Sequence, residues 1–247
     1  YQSSGGAIYA FARKNTNNIL MKNCTFNANS ATIFGGSIFF SKINFSFEEC
    51  FFNNNTIMNY KFNEGGAVCS TNSNASFNKC IFNENLIQSN YSKGGAISMK
   101  SYSNLSLFEC IFKNNKIISE QEDSYGGAIS LYNSIISCKK SSFVNNLAYS
   151  KSSQSSIRSV GGAISFFYRM NDNEILNESF IECSFTNNTA YSDDCLSYGG
   201  AILYCKSHKF EKNISFTSNE LFQNLTFINN TAYSEKCSTF GGAIVYE

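Results

Sequence analysis

The sequence predicts an all-β fold: a right-handed, single-stranded parallel β-helix, a solenoid of about seven coils. Three observations predict it. Gly-Gly-Ala-Ile, or a close variant, recurs eight times, with its glycine pair at Gly5-Gly6, Gly35-Gly36, Gly65-Gly66, Gly94-Gly95, Gly126-Gly127, Gly161-Gly162, Gly199-Gly200 and Gly241-Gly242. Phe-x-x-Asn recurs in the same phase, with Phe26, Phe52, Phe82, Phe112, Phe143, Phe185 and Phe227 followed three residues on by Asn29, Asn55, Asn85, Asn115, Asn146, Asn188 and Asn230. Between these landmarks apolar residues alternate with a period of two, and nowhere with the helical period. Self-similarity at a period of roughly 20–50 residues marks a solenoid, a propeller or an array.

Each unit can be read in order. Before the Phe stands apolar-Ser-apolar, as in Phe45-Ser46-Phe47, Ala75-Ser76-Phe77, Leu105-Ser106-Leu107 and Ile136-Ser137-Cys138. This is the pattern of a strand with one buried face. The Phe and the residue two before it are a second inward pair. The step between the two pairs is odd, so the chain must bend or bulge there to keep both inside. After Gly-Gly the period of two returns, at Ile97 and Met99, Ile129 and Leu131, Ile164 and Phe166. Beyond the Asn a small or apolar position follows: Ile57, Ile87, Ile117, Ala148, Ala190, Ala232. The count is three short strands per unit. A single coil cannot bury its apolar face, so coils stack with like residues over like. The Phe then form an aromatic ladder and the Asn an amide ladder, each side chain bonding to its neighbours above and below. The glycine pair suits a corner that needs positive φ or close backbone approach. A propeller blade would need four strands per unit and a leucine-rich repeat would need a Leu-x-x-Leu-x-Leu frame; neither is present.

Residues 1–247 read as a single β-helix repeat domain. The start at Tyr1 and the end at Glu247, just past a glycine pair, lead us to expect a fragment or mature piece of a longer protein. Net charge is +1, and the 19 basic residues are scattered, which gives no footprint for nucleic acid or an anionic membrane. No apolar run approaches the roughly 18 residues of a membrane-spanning helix. Insertions lie at 147–160, 168–177 and 206–219 and are expected to emerge on one side, where a solenoid often binds.

Of ten cysteines, Cys24, Cys50, Cys80, Cys110 and Cys183 stand two before a Phe; Ser141 and Leu225 fill that slot in the other units. They read as buried thiols packing as small hydrophobes. Parallel strands about 4.8 Å apart bring neighbouring sulfurs within reach, but parallel side-chain directions suit a disulfide poorly. A bridge is expected instead between Cys195 and Cys237, which end the near copies Ala190-Tyr-Ser-Asp-Asp-Cys195 and Ala232-Tyr-Ser-Glu-Lys-Cys237, with Cys205 as the competing partner for Cys195. No metal or cofactor is expected: there is no Cys-x-x-Cys, and the single histidine, His208, falls in an insertion.

Catalysis was sought in the carboxylates. Asp193-Asp194 is an acidic pair with no basic partner nearby in sequence, and it reads as a solvated turn. Eleven Asn-x-Ser/Thr sequons occur. Asn44, Asn74, Asn104 and Asn177 share one register and read as a hydrogen-bonded column, while Asn90 and Asn213, in irregular segments, are the expected glycan acceptors.

Gly-Gly-Ala-Ile alternating with Phe-x-x-Asn resembles the repeats of the polymorphic outer membrane proteins of chlamydiae, and the related repeats of protist surface proteins. The resemblance covers the whole chain, and the Asn, Lys and Ile bias together with the sequons is closer to the protist group. It implies an exposed, extracellular or cell-surface passenger acting in adhesion toward a host or matrix protein or a glycan. Two other readings stay open: a carbohydrate-active β-helix enzyme, and a filament or coat component that self-associates end to end.

Overall fold

The computed structural model describes residues 2–13, 18–59, 61–151, 158–169, 177–207 and 221–246. Each full coil after the first turns through five strands rather than three. The coil that starts at Gly94 runs Ile97–Lys100, Asn104–Phe108, Ile111–Lys113, Lys116–Ser119 and Ser124–Tyr125. Corresponding strands of successive coils pair in parallel into five sheets, numbered here in that order. Among the described residues they hold eight, seven, seven, seven and six strands. The register puts like over like: Ile97 beside Ile129, Phe82 beside Phe112, Ile87 beside Ile117. This is a parallel β-helix.

The two additional strands have physical reasons. The odd step before each Phe is a full corner, made by one residue in the left-handed region: Asn23, Glu49, Lys79, Glu109, Lys140, Glu182 and Asn224, each with φ near +53°. That corner separates the second sheet from the third. The fifth strand, two or three residues long in each coil, is too short to show alternation. Another left-handed residue precedes each ladder Asn, as Glu84 and Asn114 do, and turns the chain from the third sheet into the fourth. L-residues adopt this conformation at a cost of about 1–2 kcal/mol, least for Asn, so the stack must offset it.

The glycines make the corner between the fifth sheet and the first. Gly94 has φ +66°, and a Cβ on it would lie 2.0 Å from the Ile97 carbonyl oxygen. A Cβ on Gly95 would lie 2.1 Å from the carbonyl oxygen of Gly127 in the next coil. One glycine is set by dihedral angle and the other by the spacing of coils.

The interior is ordered in columns. The seven Phe rings stack face to face, with centroids 4.6 to 5.0 Å apart and planes within 10°. The ladder asparagines use their full hydrogen-bonding capacity. Asn115 Nδ2 donates to Asn146 Oδ1 (3.0 Å) and to the Phe82 carbonyl (3.0 Å). Its Oδ1 accepts the Asn85 backbone N–H (3.2 Å) and Asn85 Nδ2 (2.9 Å). The same set recurs at Asn85 and Asn146. All four sites of the amide are thereby satisfied in a water-free corner. The cysteine column packs as expected and its thiols also donate to carbonyls, as Cys110 Sγ does to Phe77 O (3.3 Å). A serine column, Ser73, Ser103 and Ser134, receives backbone N–H groups at the corner between the first and second sheets. Buried serine pairs such as Ser89 with Ser92 (2.9 Å) and Ser192 with Ser197 (2.9 Å) line the corner between the fourth and fifth.

Phe112→Ala is expected to cost about 3–5 kcal/mol in urea denaturation, the cost of a large cavity in a packed column. Asn115→Ala leaves several buried donors and acceptors unpaired at about 1–3 kcal/mol each. A loss below about 1 kcal/mol for either would contradict the ladders. Gly95→Ala, which meets backbone on the next coil, should abolish folding as read by circular dichroism.

Candidate functional site

The glycine corner bends the chain the opposite way from the others. Outward side chains of the fifth sheet and of the first sheet therefore converge above it. Lys100, on the first sheet, pairs with Glu64, on the fifth, at 2.6 Å. Phe167 meets Tyr125 edge to face, with centroids 6.2 Å apart. Lys93 Nζ lies 5.0, 5.6 and 4.9 Å from the ring centroids of Tyr91, Tyr125 and Tyr132, and Lys100 Nζ lies 4.4 Å from that of Phe34. The floor is formed by Cys69, Ser98, Ser130 and Ser165, which point outward yet are at most 3% exposed. Small residues lower the floor in these middle coils; Tyr9, Phe39 and Leu203 raise it toward either end. The result is a seam along the rod, aromatic and charged on its walls, with a cavity of about 40 Å³ among Tyr91, Lys93, Tyr125, Ser130, Tyr132 and Phe167.

Electrostatics differ along it. Burial pulls the Lys93 ammonium below the usual lysine value. Burial also opposes the charge on Lys100, but the anionic groups facing it, with the Glu64 ion pair and hydrogen bond, raise it overall. Burial pushes the Tyr91 and Tyr125 phenols up, and the Asp123 carboxylate adds to both. The carboxylates are already engaged: Glu64 by Lys100, and Asp123 by the Tyr125 hydroxyl and the Arg158 backbone N–H (2.7 Å). Rings, an ammonium group and bound carboxylates suit recognition through stacking and cation–π contact; they do not make a poised acid–base pair.

A larger groove of about 550 Å³ lies on the outer face of the second sheet. It is lined by Leu20, Asn74, Ser76, Asn104, Ser106 and Ile135 among others, with no charged residue among the described ones. Its asparagines are the sequon column. Asn44 Oδ1 accepts the Asn74 backbone N–H (2.9 Å), Asn74 and Asn104 are exposed, and Ile135 takes the next place. Asn90 is half-buried at the corner between two strands, Leu86–Ser89 and Tyr91–Lys93, with its carbonyl accepting the Glu122 N–H (2.9 Å). Asn213 and His208 lie outside the described residues.

Cys195 is fully buried, and the Cys237 thiol, in the last coil, donates to the Asp194 carbonyl (2.8 Å). Two expectations need correction. Asp194 does have a basic partner, Lys236 of the next coil (2.7 Å), and Asp193 accepts from the Tyr149 hydroxyl (3.0 Å). Burial, then that bond, push the Tyr149 phenol up to about 12. The insertions leave the coil at two different corners. Residues 152–157 separate a fourth-sheet from a fifth-sheet strand, Leu147–Ser150 and Arg158–Val160, whereas 170–176 and 208–220 each separate a first-sheet from a second-sheet strand. The seam has a signal in the sequence. From the second Gly-Gly on, the preceding residue runs Phe34, Glu64, Lys93, Tyr125, Val160, Tyr198, Phe240, a column of mostly large side chains at a corner otherwise built from small ones.

Fold and seam together define a repeat protein of the parallel β-helix class, with its variable chemistry outside the stack. Residues 182–204 and 224–247, which carry the last two Phe-x-x-Asn and Gly-Gly-Ala-Ile stretches, match the family model described as the Chlamydia polymorphic membrane protein repeat. Those two stretches are similar to the polymorphic membrane protein repeat. No curated protein and no solved structure matches it.

Glu64→Gln removes the charge that balances Lys100 at a site whose side chains are 13% and 26% exposed. It is expected to cost about 1–3 kcal/mol at neutral pH. Because the folded-state value of Lys100 is raised, this contribution is present below the ordinary lysine value of about 10.4 and is lost as pH rises through the folded value. Denaturation midpoints at neutral and strongly alkaline pH check it. The exposed pair Lys22–Glu48 is the control, and Glu48→Gln should leave the midpoint unchanged.

Proposed function

We propose that this chain is a non-enzymatic β-helix domain displayed extracellularly or at a cell surface, adhesin-like, which presents the seam above its glycine corner to a host or matrix protein or glycan. One observation carries the reading: the residues that recur are consumed by the stack, and what varies from coil to coil is the row of rings and charges along the seam. The match to a membrane-protein repeat supports a surface location. The enzymatic alternative has less support, because the carboxylates of the seam and the Asp193-Asp194 pair are each held by neighbours within the fold.

The test is binding of the purified domain to cells, matrix proteins and arrayed glycans. The double substitution Lys93→Ala and Tyr132→Ala should lower binding at least tenfold while the circular dichroism spectrum is retained. Trimming residues 152–157, 170–176 and 208–220 should have the smaller effect. Turnover of pectin, alginate or glycosaminoglycans that disappears in Asp193→Asn or Asp194→Asn would overturn the non-enzymatic reading.

A further inference from the structure

In the cysteine column of the third-sheet corner the side chains run parallel, which suits a disulfide poorly. Cys50, Cys80 and Cys110 repeat one side-chain direction, and each thiol donates to the carbonyl of the residue three before it in the column of the preceding coil and to that of the residue two before itself. One coil breaks this pattern. The inward second-sheet position that holds Phe47, Phe77 and Leu107 in earlier coils holds Cys138 in the next, and Leu107 and Cys138 are direct neighbours in the sheet. The column cysteine of the following coil is Cys183. Its Sγ reaches the Cys138 carbonyl (3.5 Å), as the column rule requires, and so also meets Cys138 Sγ at 3.5 Å. These two sulfurs approach from different strands on either side of a corner, so their side-chain directions converge. Both residues are 1% exposed.

We propose that Cys138 and Cys183 form an intrachain disulfide that staples the fifth coil to the sixth. In sequence the pair brackets the insertions at 152–157 and 170–176. The oxidant is a low-molecular-weight disulfide. The Cys183 thiolate attacks one of its sulfurs and releases one thiolate. The Cys138 thiolate then attacks the Cys183 sulfur of the mixed disulfide and releases the second. One S–S bond forms as one breaks, two cysteines are oxidised as the small disulfide is reduced, and the two thiol protons end on the two released thiols. Because the finished stack shields both sulfurs, exchange takes place while the coils assemble, and the bond is protected afterwards.

The full chain is refolded with oxidised glutathione, alkylated in denaturant and digested without reduction for mass spectrometry. The expected product is a peptide pair joining Cys138 to Cys183, lost on reduction, together with a higher urea midpoint for the oxidised chain. Cys138→Leu, which repeats the neighbouring Leu107, should fold, leave Cys183 open to alkylation and remove the difference between oxidised and reduced midpoints. Alkylation of both cysteines in the oxidised wild type, or recovery of Cys183 or Cys138 bonded to a different cysteine, overturns the proposal.

Discussion

The structure depends on the contact between the second glycine of each pair and the carbonyl of its counterpart one coil away. At about 2.1 Å from where a Cβ would sit, that oxygen leaves room only for hydrogen. The contact fixes the spacing of the coils, and the spacing brings the Phe rings within stacking distance and the Asn amides within hydrogen-bond distance. It also sets the direction of the corner. A chain that bends outward there exposes the backs of two sheets to each other, and this is the origin of the seam. The feature that makes the stack possible and the feature that offers a binding surface are thus one corner.

The sequon count has a related cause. Asn23, Asn54, Asn187, Asn224 and Asn229 all occupy left-handed corners, where Asn is the best non-glycine residue. Two residues on, each chain re-enters a strand at Thr25, Thr56, Thr189, Thr226 or Thr231, where a β-branched residue packs well. Corner, inward residue and strand start therefore spell Asn-x-Thr for reasons of backbone geometry alone. The enrichment in acceptor motifs reflects how this solenoid turns its corners.

Much of this was legible in the sequence because stacking repeats each requirement. The Phe and Asn registers, the inward alternation and the glycine corner could be placed residue by residue. The fifth strand could not: Phe62–Glu64 and Tyr91–Lys93 are short, and their residues change from coil to coil. The seam was hidden for the same reason, since function resides in what does not repeat, and only the side-by-side packing of two sheets shows that Glu64 meets Lys100. In a parallel stack identical register means parallel side chains, and it is the offset pair, Cys138 and Cys183, whose sulfurs meet.

Hydrogen exchange of the folded chain tests the central role of the glycine corner most directly. The amides of Gly66, Gly95 and Gly127 donate to Gly94, Gly126 and Gly161 of the next coil at 3.0 to 3.2 Å. If the corner sets the stack, these amides exchange only with global unfolding, as slowly as those of Asn85 and Asn115 inside the amide ladder. Exchange at the rate of an open loop, with the ladder amides still protected, would show that the coils are held by the interior alone and would contradict the account.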